Sequence, residues 1–277
     1  MAILFRTNLG IRFVMDALMK GGIPFHMKDA IPNLFAHWIS LDIIAYLRLV
    51  SGTGNTRANW LRIMNRPNRY IKREALAPFT SDISVAQLKA YYQDKDWMLE
   101  RLDRLEYDLS IMKRMSPYAA IHYLSNAMKY QDYLKDYAKE HHINEQELLD
   151  VLNAVHESSQ SCRTFAEWFT YIDTYTEELQ KQAKSPASKD ANNESGVCLC
   201  TLHCAKGLEY PIVFIPDINE DNIPHARAAV DADLEEERRL FYVGITRAKE
   251  HLHLYCVGEA SGKEKFPSRF LEELNEM

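Results

Sequence analysis

Three groups of side chains in this chain are of types and spacings that could do chemistry. The first centres on Arg247, inside Leu-Glu-Glu-Glu-Arg-Arg-Leu-Phe-Tyr-Val-Gly-Ile-Thr-Arg-Ala-Lys-Glu-His-Leu-His from Leu234 to His253. Glu235, Glu236 and Glu237 suit the positive start of a helix whose apolar face carries Leu240, Phe241 and Val243. Gly244-Ile245-Thr246-Arg247 is expected to end that helix, and Leu252, Leu254 and Cys256 then alternate with His251, His253 and Tyr255 as a strand would. Arg247 is thereby placed at a helix-to-strand edge, where a guanidinium could reach across a cleft.

The second group is Cys198, Cys200, His203, Cys204, His251, His253 and Cys256, whose alternation would put thiols and imidazoles on common faces of neighbouring strands. Without a Cys-x-x-Cys pair the spacing fits no zinc finger, so core thiols are the expectation and no metal is assigned. The third is the densest basic stretch, Arg57, Arg62, Arg66, Arg69, Lys72 and Arg73, interleaved with Trp60, Pro67 and Tyr70. Such a run could grip duplex phosphates, with Arg62, Arg66, Arg69, Lys72 and Arg73 as the contacts.

A glycine-rich loop ending in Gly-Lys-Ser or Gly-Lys-Thr, which would cradle nucleotide phosphates, does not occur, nor does the acidic strand end that would hold magnesium. Ser51-Gly52-Thr53-Gly54-Asn55 lacks the lysine, and Lys206-Gly207 reverses the order.

The elements that must position these groups alternate at both ends of the chain. Ala2–Phe5 reads as a short strand, followed by a helix with Val14, Ala17 and Leu18 on one side, which Gly21-Gly22 stops. Ile23-Pro24-Phe25 forms a brief extended piece, and Trp38 to Val50 a second helix with Ile39, Ile43, Leu47 and Val50 at helical spacing. Turn residues near Ser51 suggest a boundary, after which the chain to Lys184 has helical period throughout. Trp97, Leu102, Leu105, Leu109 and Met112 trace a nearly heptad stripe, and further helices are expected over 121–141, 145–156 and 165–184. Their aromatic faces, such as Phe165, Trp168, Phe169 and Ile172, read as bundle core. The polar run 185–195 reads as a linker, after which strands over 197–202, 212–215 and 252–257 surround the Leu234 helix. A small helix is expected to start within Pro267–Leu271.

The expected fold is therefore α/β: a discontinuous parallel-sheet domain built from 1–51 and 196–277, interrupted by an all-α insertion over 52–185 and a linker over 186–195. With 47% hydrophobic residues the 277-residue chain can pack such a core. Its net charge of −6 argues against a protein that coats nucleic acid but leaves a local basic patch open. Five scattered cysteines make no disulfide framework, and the start shows neither signal peptide nor membrane span, so the cytoplasm is expected and no membrane partner.

The Leu234–His253 string, together with Thr-Leu-His-Cys-Ala-Lys-Gly-Leu-Glu-Tyr from Thr201 to Tyr210, resembles the last two motifs of superfamily 1 DNA helicases of the UvrD/PcrA/Rep type. Ala-Ile-Leu-Phe-Arg-Thr-Asn from Ala2 to Asn8, with Arg12, looks like the fourth motif, and Asp42 with Ala45-Tyr46-Leu47-Arg48-Leu49 matches the helix beyond it. The resemblance implies a RecA-like second motor domain with its inserted helical domain, acting with ATP and Mg2+ beside an N-terminal motor domain that this chain lacks. It further implies 3′-to-5′ travel on single-stranded DNA coupled to separation of duplex DNA.

Residue by residue, the resemblance implies that Phe5 stacks on adenine, that Arg6 and Arg247 reach the γ-phosphate as catalytic contacts, and that Glu209 accepts from the ribose hydroxyls. Thr201, His203 and Lys206 would couple nucleotide state to a DNA strand. Alone, the chain is expected to hydrolyse no ATP and to bind nucleotide weakly. A non-catalytic DNA- or protein-binding remnant is the alternative, whereas a helicase-nuclease arm would require a downstream nuclease domain with clustered carboxylates, which nothing after Leu271 suggests. Two departures from the family's pattern stand out. Its Gly-Ile-Gly turn, which contacts duplex through backbone amides, is replaced by Tyr70-Ile71-Lys72, and its charged cluster ahead of Asp42 by Phe35-Ala36-His37-Trp38-Ile39.

Overall fold

The computed structural model describes residues 1–28, 32–184, 196–226, 228, 230–260 and 263–275. The expected linker over 186–195 lies outside them. The chain divides into two compact units, one formed by 1–32 with 179–277 and the other by 33–178.

The first unit is built on a five-stranded sheet, every pairing of which is parallel. Its strands β1 (Ala2–Phe5), β2 (Phe25–Met27), β3 (Val197–Thr201), β4 (Tyr210–Ile215) and β5 (Ala248–Leu254) lie in the order β2-β3-β1-β4-β5. Strands from both ends of the sequence thus interleave, and neither end has a sheet of its own. Helices α1 (Asn8–Lys20) and α10 (Asp231–Ile245) flank the strands, with a two-stranded hairpin of β6 (Glu259–Ala260) and β7 (Lys263–Glu264) and a last helix α11 (Arg269–Asn275). The core gathers Ala2, Leu4, Cys198, Cys200, Leu202, Val213, Ile215, Phe241 and Phe270, as expected for strands that are near-continuously apolar because both faces are covered.

Two glycines are required by this packing. Gly196 enters β3 at φ +113°, and a Cβ there would stand 2.4 Å from the Pro24 carbonyl oxygen. Gly244 is the last residue but one of α10, which ends at Ile245, inside the expected Gly244–Arg247 stretch. A side chain at Gly244 would meet Leu202 Cδ2 at 2.4 Å, so the glycine serves close helix-to-sheet approach.

The second unit is helical, comprising α2 (Trp38–Ser51), α3 (Arg57–Ile63), α4 (Val85–Tyr91), α5 (Asp96–Met112), α6 (Pro117–Asn126), α7 (Tyr130–His141), α8 (Glu145–Ser158) and most of α9 (Phe165–Lys184). Its first boundary falls at Asn33, ahead of α2, and not near Ser51. The reason is that Ile39, Ile43, Tyr46, Leu47 and Val50 make α2 part of the helical core. The stretch 121–141, expected as one helix, is two: the chain breaks before Lys129, whose φ of +61° no helix continues through. The stripe along α5 is likewise shifted. Met98, Leu102, Leu105 and Met112 are buried, whereas Trp97, one residue and roughly 100° away, points outward and is 50% exposed.

Candidate nucleotide and nucleic-acid contacts

Strand direction decides which candidate residues of the first unit can meet. Arg6 follows β1 and Thr201 closes β3, so both lie at the carboxyl edge of the sheet. Glu209 precedes β4 and Arg247 precedes β5, at the amino edge. The registers Ala2↔Val213 and Tyr210↔Ala248 put Arg6 and Arg247 at opposite ends of the strands, about eight residues or roughly 26 Å apart along them at about 3.3 Å per residue. The structure therefore does not bring these two arginines together, as convergence on one phosphate would require. The parallel strand order separates what the family resemblance had joined.

Their surroundings differ as well. Arg6 is spoken for: Nε donates to Glu237 Oε2 at 2.9 Å and Nη2 to Oε1 at 2.6 Å, a two-pronged pair with both side chains largely buried. Burial pushes the Glu237 carboxyl up, but Arg6 and the His225 backbone N–H outweigh it and hold it below the usual carboxylate range. Phe5 is only 3% exposed and packs against Gly10, which leaves no ring face for an adenine. Arg6 and Phe5 belong to the architecture of the sheet's carboxyl edge.

Arg247 is held in a different way. Its Nε donates to the Val243 carbonyl at 2.9 Å, Nη1 to the Leu208 carbonyl at 3.0 Å and Nη2 to Thr246 Oγ1 at 3.0 Å. These acceptors orient the guanidinium without neutralising it, and among the described residues no carboxylate pairs with it. Two of its five N–H groups stay available, so the group is aimed and still cationic. Glu209 lies at the same edge, exposed, with Lys249 Nζ at 3.1 Å, a surface pair of little strength. The sequence offered no signal for Lys249 or for the Leu208 carbonyl as partners, because both depend on the β4–β5 register.

Between β3 and β4 the chain recrosses the sheet through a turn over 202–207. Thr201 Oγ1 accepts from the Cys204 N–H at 3.3 Å and so opens that turn, while His203 and Lys206 are exposed on it. The thiols of Cys198 and Cys200 are buried in the core, and Cys198 Sγ lies 3.2 Å from the Tyr210 hydroxyl. Among the described residues no group of three His, Cys, Asp or Glu side chains is placed to hold a metal.

In the helical unit the basic stretch is organised by one buried acid. Asp42, its side chain 0% exposed, accepts from Arg62 Nη1 at 3.1 Å, from Arg66 Nη1 at 2.8 and 3.0 Å and from the Tyr130 hydroxyl at 2.9 Å. Burial pushes the Asp42 carboxyl up more strongly than Arg66, Tyr130 and Arg62 pull it down. Arg69 donates to the carbonyls of Ile63 and Pro67 at 3.1 and 3.2 Å. Three of the five expected duplex contacts are thus engaged internally, and Lys72 and Arg73 are exposed. Ahead of Asp42, where the sequence departs from the family's charged cluster, Trp38 packs on Tyr137 at 4.9 Å between ring centroids and carries the Arg66 guanidinium over its ring at 5.5 Å.

The turn at Tyr70-Ile71-Lys72 keeps the glycine-like backbone without the glycine. Tyr70 sits at φ +60°. Asn65 Oδ1 accepts from the N–H groups of Arg69 and Ile71, Asn68 Oδ1 from that of Tyr70, and the Tyr92 hydroxyl from that of Lys72 at 2.6 Å. All four amides are consumed inside the protein.

A parallel α/β sheet fed from both ends of the chain around a helical insertion is consistent with a RecA-like C-terminal helicase domain. The chain belongs to the UvrD-like helicase C-terminal domain family, whose sequence model matches residues 1–258. It is 30% identical over 272 residues to the ATP-dependent DNA helicase PcrA of Bacillus subtilis, covering 91% of this chain and 36% of that protein. It is 29% identical over 301 residues to the ATP-dependent DNA helicase PcrA of Staphylococcus epidermidis, covering 100% and 40%. Similarity at 30% over 285 residues extends to the YjcD protein of Bacillus subtilis, covering 99% and 36%. The chain spans well under half the length of these relatives. Among the described residues no helix is long and apolar enough to cross a membrane.

Proposed function

We propose that this chain is the second motor domain, with its helical insertion, of an ATP-dependent DNA helicase that moves 3′-to-5′ on single-stranded DNA and separates duplex. The observation that carries the reading is Arg247, fixed by three uncharged acceptors and left cationic at the sheet's amino edge beside Glu209. Arg247 would meet the nucleotide's phosphates and Glu209 its ribose. An aimed guanidinium suits the charge spread over a transferring phosphoryl, and it costs no reorganisation when the charge develops.

Thr201, His203 and Lys206, on the strand end and turn that recross the sheet, would relay nucleotide state to a DNA strand. Lys72 and Arg73 would meet duplex phosphates, with Arg62, Arg66 and Arg69 shaping the loop that presents them. ATP with Mg2+ would be held mainly by a first motor domain carrying the glycine-rich loop, and this chain alone would turn over no ATP. The test is ATP hydrolysis by the chain joined to such a domain. Arg247→Ala should abolish activity while Arg6→Ala, acting through the fold, should lower stability first. Full activity in Arg247→Ala would end the reading.

A further inference from the structure

We propose that Tyr70, Arg101 and Trp97 form a stacking contact for an unpaired or terminal DNA base, a site distinct from the phosphate contacts above. The proposal rests on the DNA-helicase reading for the identity of its ligand and on separate observations for its existence.

Tyr70 is 60% exposed, and Trp97 is half exposed beside it. The Arg101 guanidinium lies 4.9 Å from the Tyr70 ring centroid and 5.1 Å from that of Trp97, so one planar cation joins two rings from different segments of the chain. Trp97 and Arg101, four residues apart, share the outer face of α5, opposite its buried residues Met98, Leu102, Leu105 and Met112. Other aromatic rings of the chain are as exposed, and what sets Tyr70 and Trp97 apart is that one guanidinium joins them, presenting two rings and a planar cation together as a stacking surface.

The neighbouring turn narrows what that contact can be. Because the amides of residues 69–72 are all donated internally, the backbone has nothing left to offer a phosphate. What faces out is the Tyr70 ring and the side chains of Lys72 and Arg73. Glu74, Asp96 and Glu100 are exposed nearby in sequence, so net positive charge is not what would hold the ligand here. Stacking is, and a base inside an intact duplex has no free face to stack. The ligand is therefore a base at a duplex end or in a single strand next to it.

The experiment titrates the full chain with a forked oligonucleotide, a closed blunt hairpin of the same duplex and a single strand, reading anisotropy and tryptophan emission at low and moderate salt. Forked DNA is expected to quench emission. Trp97→Phe should keep affinity within about twofold and lose the quench, while Trp97→Ala and Tyr70→Ala should each weaken forked DNA about tenfold, the range of one lost base stack, at both salt concentrations. Both alanine variants change exposed side chains, and unchanged circular dichroism would confirm their fold. Wild-type affinity for forked DNA in both alanine variants would overturn the proposal and leave the helicase reading to the Arg247 test. A chain that binds no DNA at low salt would overturn the proposal as well, and intact Arg247-dependent hydrolysis in the joined protein would show that the helicase reading survives it.

Discussion

Asp42 offers a sharp energetic test, because burial and pairing pull its carboxyl in opposite directions. Asp42→Ala removes the carboxylate that accepts from the Tyr130 hydroxyl, on a side chain that is itself fully buried, and frees Arg62 and Arg66, which are 34% and 37% exposed. The arginines can turn to water and the hydroxyl cannot. An unsatisfied buried hydroxyl costs about 1–3 kcal/mol, and the lost packing and loosened loop bring the expected total to about 2–4 kcal/mol. Asp42→Asn keeps an acceptor in place and removes the buried charge. Since burial outweighs the pairing at Asp42, the expected cost of the amide is under about 1 kcal/mol.

The sign with pH follows. A carboxyl whose folded value is raised above 3.8 contributes stability that is fully present below that value and lost as pH climbs through the raised one. Relative to wild type, Asp42→Asn should therefore gain ground as pH climbs from about 4 through the raised value. All four tryptophans, Trp38, Trp60, Trp97 and Trp168, lie in the helical unit, so urea unfolding followed by tryptophan emission isolates the unit that contains Asp42. An amide variant that loses about 2 kcal/mol or more at pH 7, with wild-type stability rising over that range, would refute the reasoning and show that arginine pairing outweighs burial at Asp42.

Two further outcomes test the sheet unit, both read by urea unfolding in far-ultraviolet circular dichroism. Glu237→Gln should cost about 1.5–3 kcal/mol at neutral pH, the range for charge-assisted hydrogen bonds, by breaking the two-pronged contact with Arg6. Because the Glu237 carboxyl is held low, that difference should be present above 4.5 and shrink as pH falls through the folded value; a pH-independent difference would count against the ion pair. Gly244→Ala should cost about 1–3 kcal/mol, since the new methyl would press on Leu202 and Ile215, and an unchanged midpoint would show that the helix can retreat freely.

The alternation of strands and helices at the two ends of the chain made the α/β class legible, because a buried parallel strand such as Val197–Thr201 writes itself as an unbroken apolar run. The helical middle was legible from period. Its edges were not: α2 carries the same helical period whichever unit it packs into, and only tertiary burial of Ile43 and Tyr46 decides the matter. Trp97 shows the limit of stripe reading, since a one-residue error in phase moves a side chain from core to solvent. At the candidate site, motif residues could be located but not grouped. Arg6 and Arg247 look equivalent as arginines in helicase-like strings, yet the parallel strand order puts them at opposite sheet edges, and Glu237 silences one of them. Nothing in local sequence records a partner 231 positions away.

The measurement that bears most directly on the central claim is steady-state ATP hydrolysis, with and without single-stranded DNA, for this chain alone and for a polypeptide in which it follows a first motor domain. The expected result is no turnover by the chain alone and DNA-stimulated turnover by the joined protein, falling about a thousandfold or more in Arg247→Ala, as for a lost arginine finger. Turnover by the chain alone, or a joined protein indifferent to Arg247, would contradict it.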